Sequence, residues 1–61
     1  MGMRKLLSTK EVADILGLHE QVIRRYIRKG ILPAIKLERK YRIDEKDLND
    51  WLEKRKIGKV S

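Results

Sequence analysis

Apolar residues recur along the chain in more than one rhythm. Val12, Ala13, Ile15 and Leu16 fall at helical spacing and are followed by Gly17, the residue best able to take the left-handed conformation that ends a helix. Ser8–Thr9–Lys10–Glu11 stands just ahead of them. It has the form of a capping box, in which the serine hydroxyl accepts from the glutamate amide and the glutamate carboxylate reaches back. The pattern predicts a first helix over about 9–16. Leu18–His19 leaves room only for a tight connection. Ile23, Tyr26 and Ile27 then share one face, and Gly30 closes a second helix of about 20–29. The opposite face of that helix carries Glu20, Gln21, Arg24, Arg25 and Arg28.

After Gly30 the period drops to two. Pro33 cannot continue a helix and suits the first residue of a strand. Ile35, Leu37, Tyr41 and Ile43 alternate with Lys36, Lys40 and Arg42, which predicts a β-hairpin with strands near 34–37 and 40–44 and a bend at Glu38–Arg39–Lys40. The bend lacks the Asn-Gly or Asp-Gly of a tight primed turn, so its geometry stays open. Asp44 is placed to cap a third helix, with Asp47 as its capping-box partner and Gly58 as its stop. Leu48, Trp51 and Leu52 form its buried stripe. Acids in its first turn and Lys54–Arg55–Lys56 in its last complement the helix dipole. The expected fold is mainly α with a small β-hairpin, in the order helix, helix, strand, strand, helix. One core should join Val12, Leu16, Leu18, Ile23, Ile27, Leu37, Ile43, Leu48, Trp51 and Leu52.

Length and composition narrow the chemistry. Folding 61 residues buries only about 60% of the chain's surface, enough for one thin core and no internal catalytic cavity. The organisation expected is a frayed N-terminus at 1–5, one domain at 6–55 and a basic tail at 56–61. There is no cysteine, which removes disulfides and thiolate metal sites and fits a reducing compartment. His19 is the only histidine, so no metal or other cofactor is expected. No nucleophile, base and orienting group can be assembled, so no enzyme is expected. No apolar run reaches the roughly 20 residues of a membrane span.

Charge adds the sharpest constraint. The chain carries +7, and its charges are segregated. Residues 20–42 hold eight bases and two acids, whereas residues 44–53 hold five acids and one base. A dense basic middle on so small a chain points to a polyanion. Two short helices joined by a tight turn, with a basic outward face on the second, make a helix-turn-helix. An α-helix fits the major groove of duplex DNA, where side chains meet base edges and flanking cations meet phosphates.

The ordered pieces are more specific than any one of them. Leu7–Ser8 with Glu11–Val12–Ala13 opens the first helix, and Leu16–Gly17–Leu18 makes the turn. Ile23–Arg24–Arg25–Tyr26–Ile27 is followed by Gly30–Ile31–Leu32–Pro33–Ala34. Arg39 through Arg42–Ile43 leads to Asp47–Leu48 and Trp51–Leu52. From Leu6 to Leu52 this order resembles the small winged helix-turn-helix domains of the excisionase group, relatives of MerR DNA-binding domains. The resemblance implies a winged helix-turn-helix fold and double-stranded DNA as partner. It implies a recognition helix that reads bases through Gln21, Arg24, Arg25 and Arg28. It also implies a wing whose Lys36, Arg39, Lys40 and Arg42 grip the backbone. His19 stands where the family usually has a Ser or Asp cap, Val22 replaces a common Thr, and Glu38–Arg39 replaces the usual wing-tip glycine.

The role implied is an excisionase-like architectural factor or a small transcriptional regulator, cytoplasmic and nucleoid-associated. A recombinase or a neighbouring copy on DNA would be a further partner, with no small-molecule effector and no membrane. Two other readings remain: a DNA-targeting module of a recombinase or other enzyme, and an adaptor whose basic face binds an acidic protein. Glu20 is expected to favour the N-terminus of its helix, with acceptance from a cytosine as the alternative.

Overall fold

The computed structural model describes residues 5–56. Six elements follow one another: β1 (Leu6–Ser8), α1 (Thr9–Leu16), α2 (Glu20–Arg28), β2 (Ile35–Leu37), β3 (Lys40–Asp44) and α3 (Glu45–Lys54). The three helices and the hairpin lie where the periodicity puts them. The first strand corrects the expected order. β1 pairs antiparallel with β3 through Leu6–Asp44, Leu7–Ile43 and Ser8–Arg42, giving a three-stranded sheet in the order β1-β3-β2. Three residues are too few to display an alternation, and Ser8 also serves as N-cap of α1, which hides the strand behind a helix signal. Residues 1–4 of the expected frayed end, Gly58 and the tail from residue 57 lie outside the described residues. Lys5 is tied in, because its carbonyl accepts from the Glu45 amide at 3.0 Å.

The caps explain where the helices begin and end. The Ser8 hydroxyl accepts from the Glu11 amide at 3.0 Å, and the Ser8 amide donates to the Glu11 carboxylate at 2.9 Å. Both halves of the capping box are therefore made. Gly17 and Gly30 take φ of +70° and +75°, a conformation open to glycine at little steric cost. Each turns the chain out of a helix. The Asp44 carboxylate caps α3 through the Lys46 amide at 2.8 Å, one residue earlier than a capping box would use. α3 ends at Lys54, with Arg55 as its C-cap, short of the expected stop at Gly58.

The core consists of Leu7, Val12, Ala13, Ile23, Leu32, Ile43 and Leu48, with Leu16, Tyr26, Ile27, Ala34, Trp51 and Leu52 packed against it. Leu18 and Leu37 are corrections, at 41% and 47% exposed. Leu7 and Leu32, not expected there, are core residues. The hairpin register explains Leu37. The pairs are Ile35–Arg42, Lys36–Tyr41 and Leu37–Lys40. Directly paired residues share a sheet face, so odd-numbered β2 positions sit with even-numbered β3 positions. Ile35 and Leu37 thus share a face with Lys40 and Arg42, while Tyr41 and Ile43 lie on the other with Lys36.

Trp51 locks α3 onto the connection after α2. Its indole N–H donates to the Ile31 carbonyl at 2.9 Å, its ring lies 6.0 Å from that of Tyr26, and the Arg55 guanidinium covers it at 4.1 Å. Such cation–ring contacts contribute about 0.5–1 kcal/mol at exposed sites. With α3 and the hairpin fixed to one core, α2 is held at a defined angle to the wing.

Candidate nucleic-acid interface

α2 buries Ile23 completely and turns its polar side outward. Gln21, Arg24, Arg25 and Arg28 line one shallow groove along that side. The helix begins at His19, whose side chain makes no capping bond, in keeping with the loss of the usual Ser or Asp there. α1 is the brace. Its apolar residues Val12 and Ala13 are buried, and the left-handed turn at Gly17 lets α2 follow at once.

A second groove runs between α2 and the sheet. It is lined by Ser8, Thr9, Glu20 and Arg24 on one side and by Arg39, Lys40, Tyr41 and Arg42 on the other. Four cations converge on it against one carboxylate. Arg24 is the one residue that lines both grooves, so the basic surface of α2 is continuous with that of the wing. The wing turn is two residues long, and Glu38 takes a φ of +56°. Among the described residues it is the one non-glycine with a positive φ. Arg42 is steadied by donating to the Tyr41 carbonyl at 3.0 Å.

Of the eight residues expected at the site, the structure brings seven to these two grooves. Lys36 is the exception. The register places it on the Tyr41 face, with its ammonium 5.9 Å from the Tyr41 ring centre, and it lines neither groove. Three lining residues were not singled out for the site: Tyr41, Thr9 and Ser8, the N-cap of α1. Tyr41 lines the wing-side groove, although its place in the alternation suggested only core. Thr9 looked like part of a capping sequence, yet it is buried and its hydroxyl donates to Glu20 at 2.7 Å. The sequence carried no signal for it, because the short turn joins the end of α1 to the start of α2 and the meeting of Thr9 with Glu20 depends on the angle at which the two helices pack. Glu20 also accepts from Arg24 at 3.1 Å, so its carboxylate has partners on both α1 and α2.

The acids of α3 line neither groove. Lys46 pairs with Asp50 at 3.1 Å and Lys56 with Glu53 at 3.2 Å, both exposed. Charge segregation along the chain has thus become segregation on the surface.

Comparison with known proteins agrees with this architecture. Two relatives from Mycobacterium tuberculosis, strains CDC 1551 / Oshkosh and H37Rv, each carry the name "putative DNA-binding protein". Each is 33% identical over 49 residues, covering 80% of this chain and 63% of the relative. The chain therefore spans a little under two thirds of the length of the curated relatives it matches. No solved structure matches it. The helix-turn-helix domain family matches residues 6–56, which takes in every element of the fold, and the chain belongs to that family, in its excisionase-like branch.

Proposed function

We propose that the protein binds double-stranded DNA in a sequence-specific manner, with α2 in the major groove and the β2–β3 wing on the backbone. The observation that carries this reading is the continuous cationic surface joining α2 to the wing through Arg24. Gln21, Arg24, Arg25 and Arg28 would meet base edges, since side chains of a recognition helix lying in the major groove reach the base edges on its floor. Arg39, Lys40 and Arg42 are placed to meet phosphates, which fix register without specifying sequence. Lys36, on the other sheet face, contributes long-range attraction. The names of the two relatives support DNA as the partner. Within that reading the protein is an excisionase-like architectural factor or small regulator in the cytoplasm, working at the nucleoid beside a recombinase or a neighbouring copy.

The test separates reading from gripping. A preferred duplex is first selected from random sequences, and affinity is then measured for it and for its single-base variants at several salt concentrations. Arg24→Ala and Arg25→Ala should weaken binding and flatten base preference by about 1–3 kcal/mol at the position each reads. Arg39→Ala and Lys40→Ala should weaken all duplexes about equally and lower the salt slope by roughly one unit each. Wing variants that change base preference while α2 variants do not would reverse the assignment. Absence of salt-dependent duplex binding would favour an acidic protein as the partner.

A further inference from the structure

The start of α1 and the first turn of α2 share a hydrogen-bonded chain of three side chains. The Thr9 hydroxyl donates to Glu20 Oε2 at 2.7 Å, and Arg24 Nη2 donates to the same oxygen at 3.1 Å. An exposed ion pair one helical turn apart usually holds little, because both long side chains keep other rotamers and exchange with water. This pair differs at one end. Thr9 is only 6% exposed, is stiff at χ1 because it is β-branched, and belongs to a different helix. Glu20 is therefore fixed from outside α2. It draws the Arg24 guanidinium back over the first turn of that helix, the part of a recognition helix that meets base edges. One N–H of five is used, which leaves the others for a base.

The position of Arg24 shows why such a restraint matters. It lines the groove on α2 and the groove beside the wing. An unrestrained guanidinium there could turn to whichever acceptor is nearest, including a phosphate on any sequence. A phosphate contact made on a wrong site reduces the penalty for the mismatch.

We propose that the Thr9–Glu20 pair is a positioning device that holds Arg24 for base reading and keeps it from gripping the backbone. The inference rests on the reading of Arg24 as a DNA contact. It gives the one acid of this groove a purpose: Glu20 lowers general attraction to DNA and raises discrimination, a specificity gained by penalising wrong partners.

Thr9→Val removes the hydroxyl without changing charge. It should lower discrimination about three- to tenfold at the base position that Arg24→Ala identifies, the scale of freeing one long side chain at an interface. On unrelated duplexes the salt slope should steepen by up to about one unit, because a released Arg24 would neutralise a further phosphate, and Thr9→Ser should restore discrimination. Glu20→Gln should lower discrimination at the same position while affinity for unrelated duplexes rises. Thermal melting of each variant reports folding. The double variant Thr9→Val/Arg24→Ala should discriminate no worse than Arg24→Ala alone, which holds even if Thr9→Val is less stable. Unchanged discrimination in Thr9→Val overturns the proposal, as do additive losses in the double variant. A Glu20→Gln variant that alters preference at a different position also overturns it, and marks Glu20 as a direct reader. If Arg24→Ala itself leaves discrimination intact, the underlying role of Arg24 fails, a result distinct from failure of the restraint.

Discussion

Glu38 occupies a backbone conformation that its side chain does not favour. Its φ of +56° lies in the left-handed region, which costs an ordinary L-residue roughly 1–2 kcal/mol. Glycine avoids that cost but loses about 0.5–1 kcal/mol more chain entropy on folding. Glu38→Gly should therefore stabilise the domain by about 0.5–1 kcal/mol, read as a higher denaturant midpoint. It should also tighten duplex binding at low salt, since an acid leaves the wing tip. A lower midpoint would mean that Glu38 makes a compensating contact. Glu11 supplies a second expectation, in pH. The Ser8 amide bonded to its carboxylate is the chief cause of a pKa below the ordinary glutamate value; desolvation opposes it as the next-largest effect, and Lys5, the Ser8 hydroxyl and Arg42 each add to the lowering. A depressed folded value means stability is present above the ordinary range and lost as pH falls through the folded value. Glu11→Gln should flatten that acid limb, as followed by thermal melting from neutral to acidic pH.

The helices were legible because each carries its own punctuation. Ser8 and Glu11 open α1, Gly17 closes it, and Gly30 turns the chain out of α2. The strands were less so, for two physical reasons. β1 is three residues long, below the length at which alternation shows. The hairpin alternates correctly, but the parity of its two-residue turn exchanges faces between β2 and β3, which no reading along one strand reveals. Leu37 is therefore an exposed partner of Lys40, and Leu32, in an aperiodic connection, is 1% exposed. The two positions should respond very differently to truncation. Ile43→Ala, at 0% exposed, should cost about 2–5 kcal/mol and leave little folded protein. Leu37→Ala should stay within roughly ±0.5 kcal/mol. Urea melts of both variants check this, and a severe loss at Leu37 would show that its edge strand is covered in solution.

Charge is where the molecule was most readable, because its segregation along the chain survives folding. What sequence alone did not reveal is the division of the wing cations by sheet face, which leaves Lys36 apart from Arg39, Lys40 and Arg42. If α2, the wing and the basic ends of the chain together neutralise about five phosphates, log affinity against log salt should fall with a slope near −4.5. A titration against duplex DNA measures it, and a slope near zero would contradict a backbone-gripping wing. The sheet also sets an order of events. Leu7 must meet Ile43, and closing a loop of some 36 residues costs about 3 kcal/mol in chain entropy before any contact rewards it. α1 and α2, joined by a short turn, carry no such cost. During synthesis at about 5–20 residues per second, Leu6 and Leu7 wait roughly 2–7 seconds for the strand that will cover them. The first strand to be made is thus the last to be paired, and its brevity leaves little edge for a wrong partner to seize in the interval.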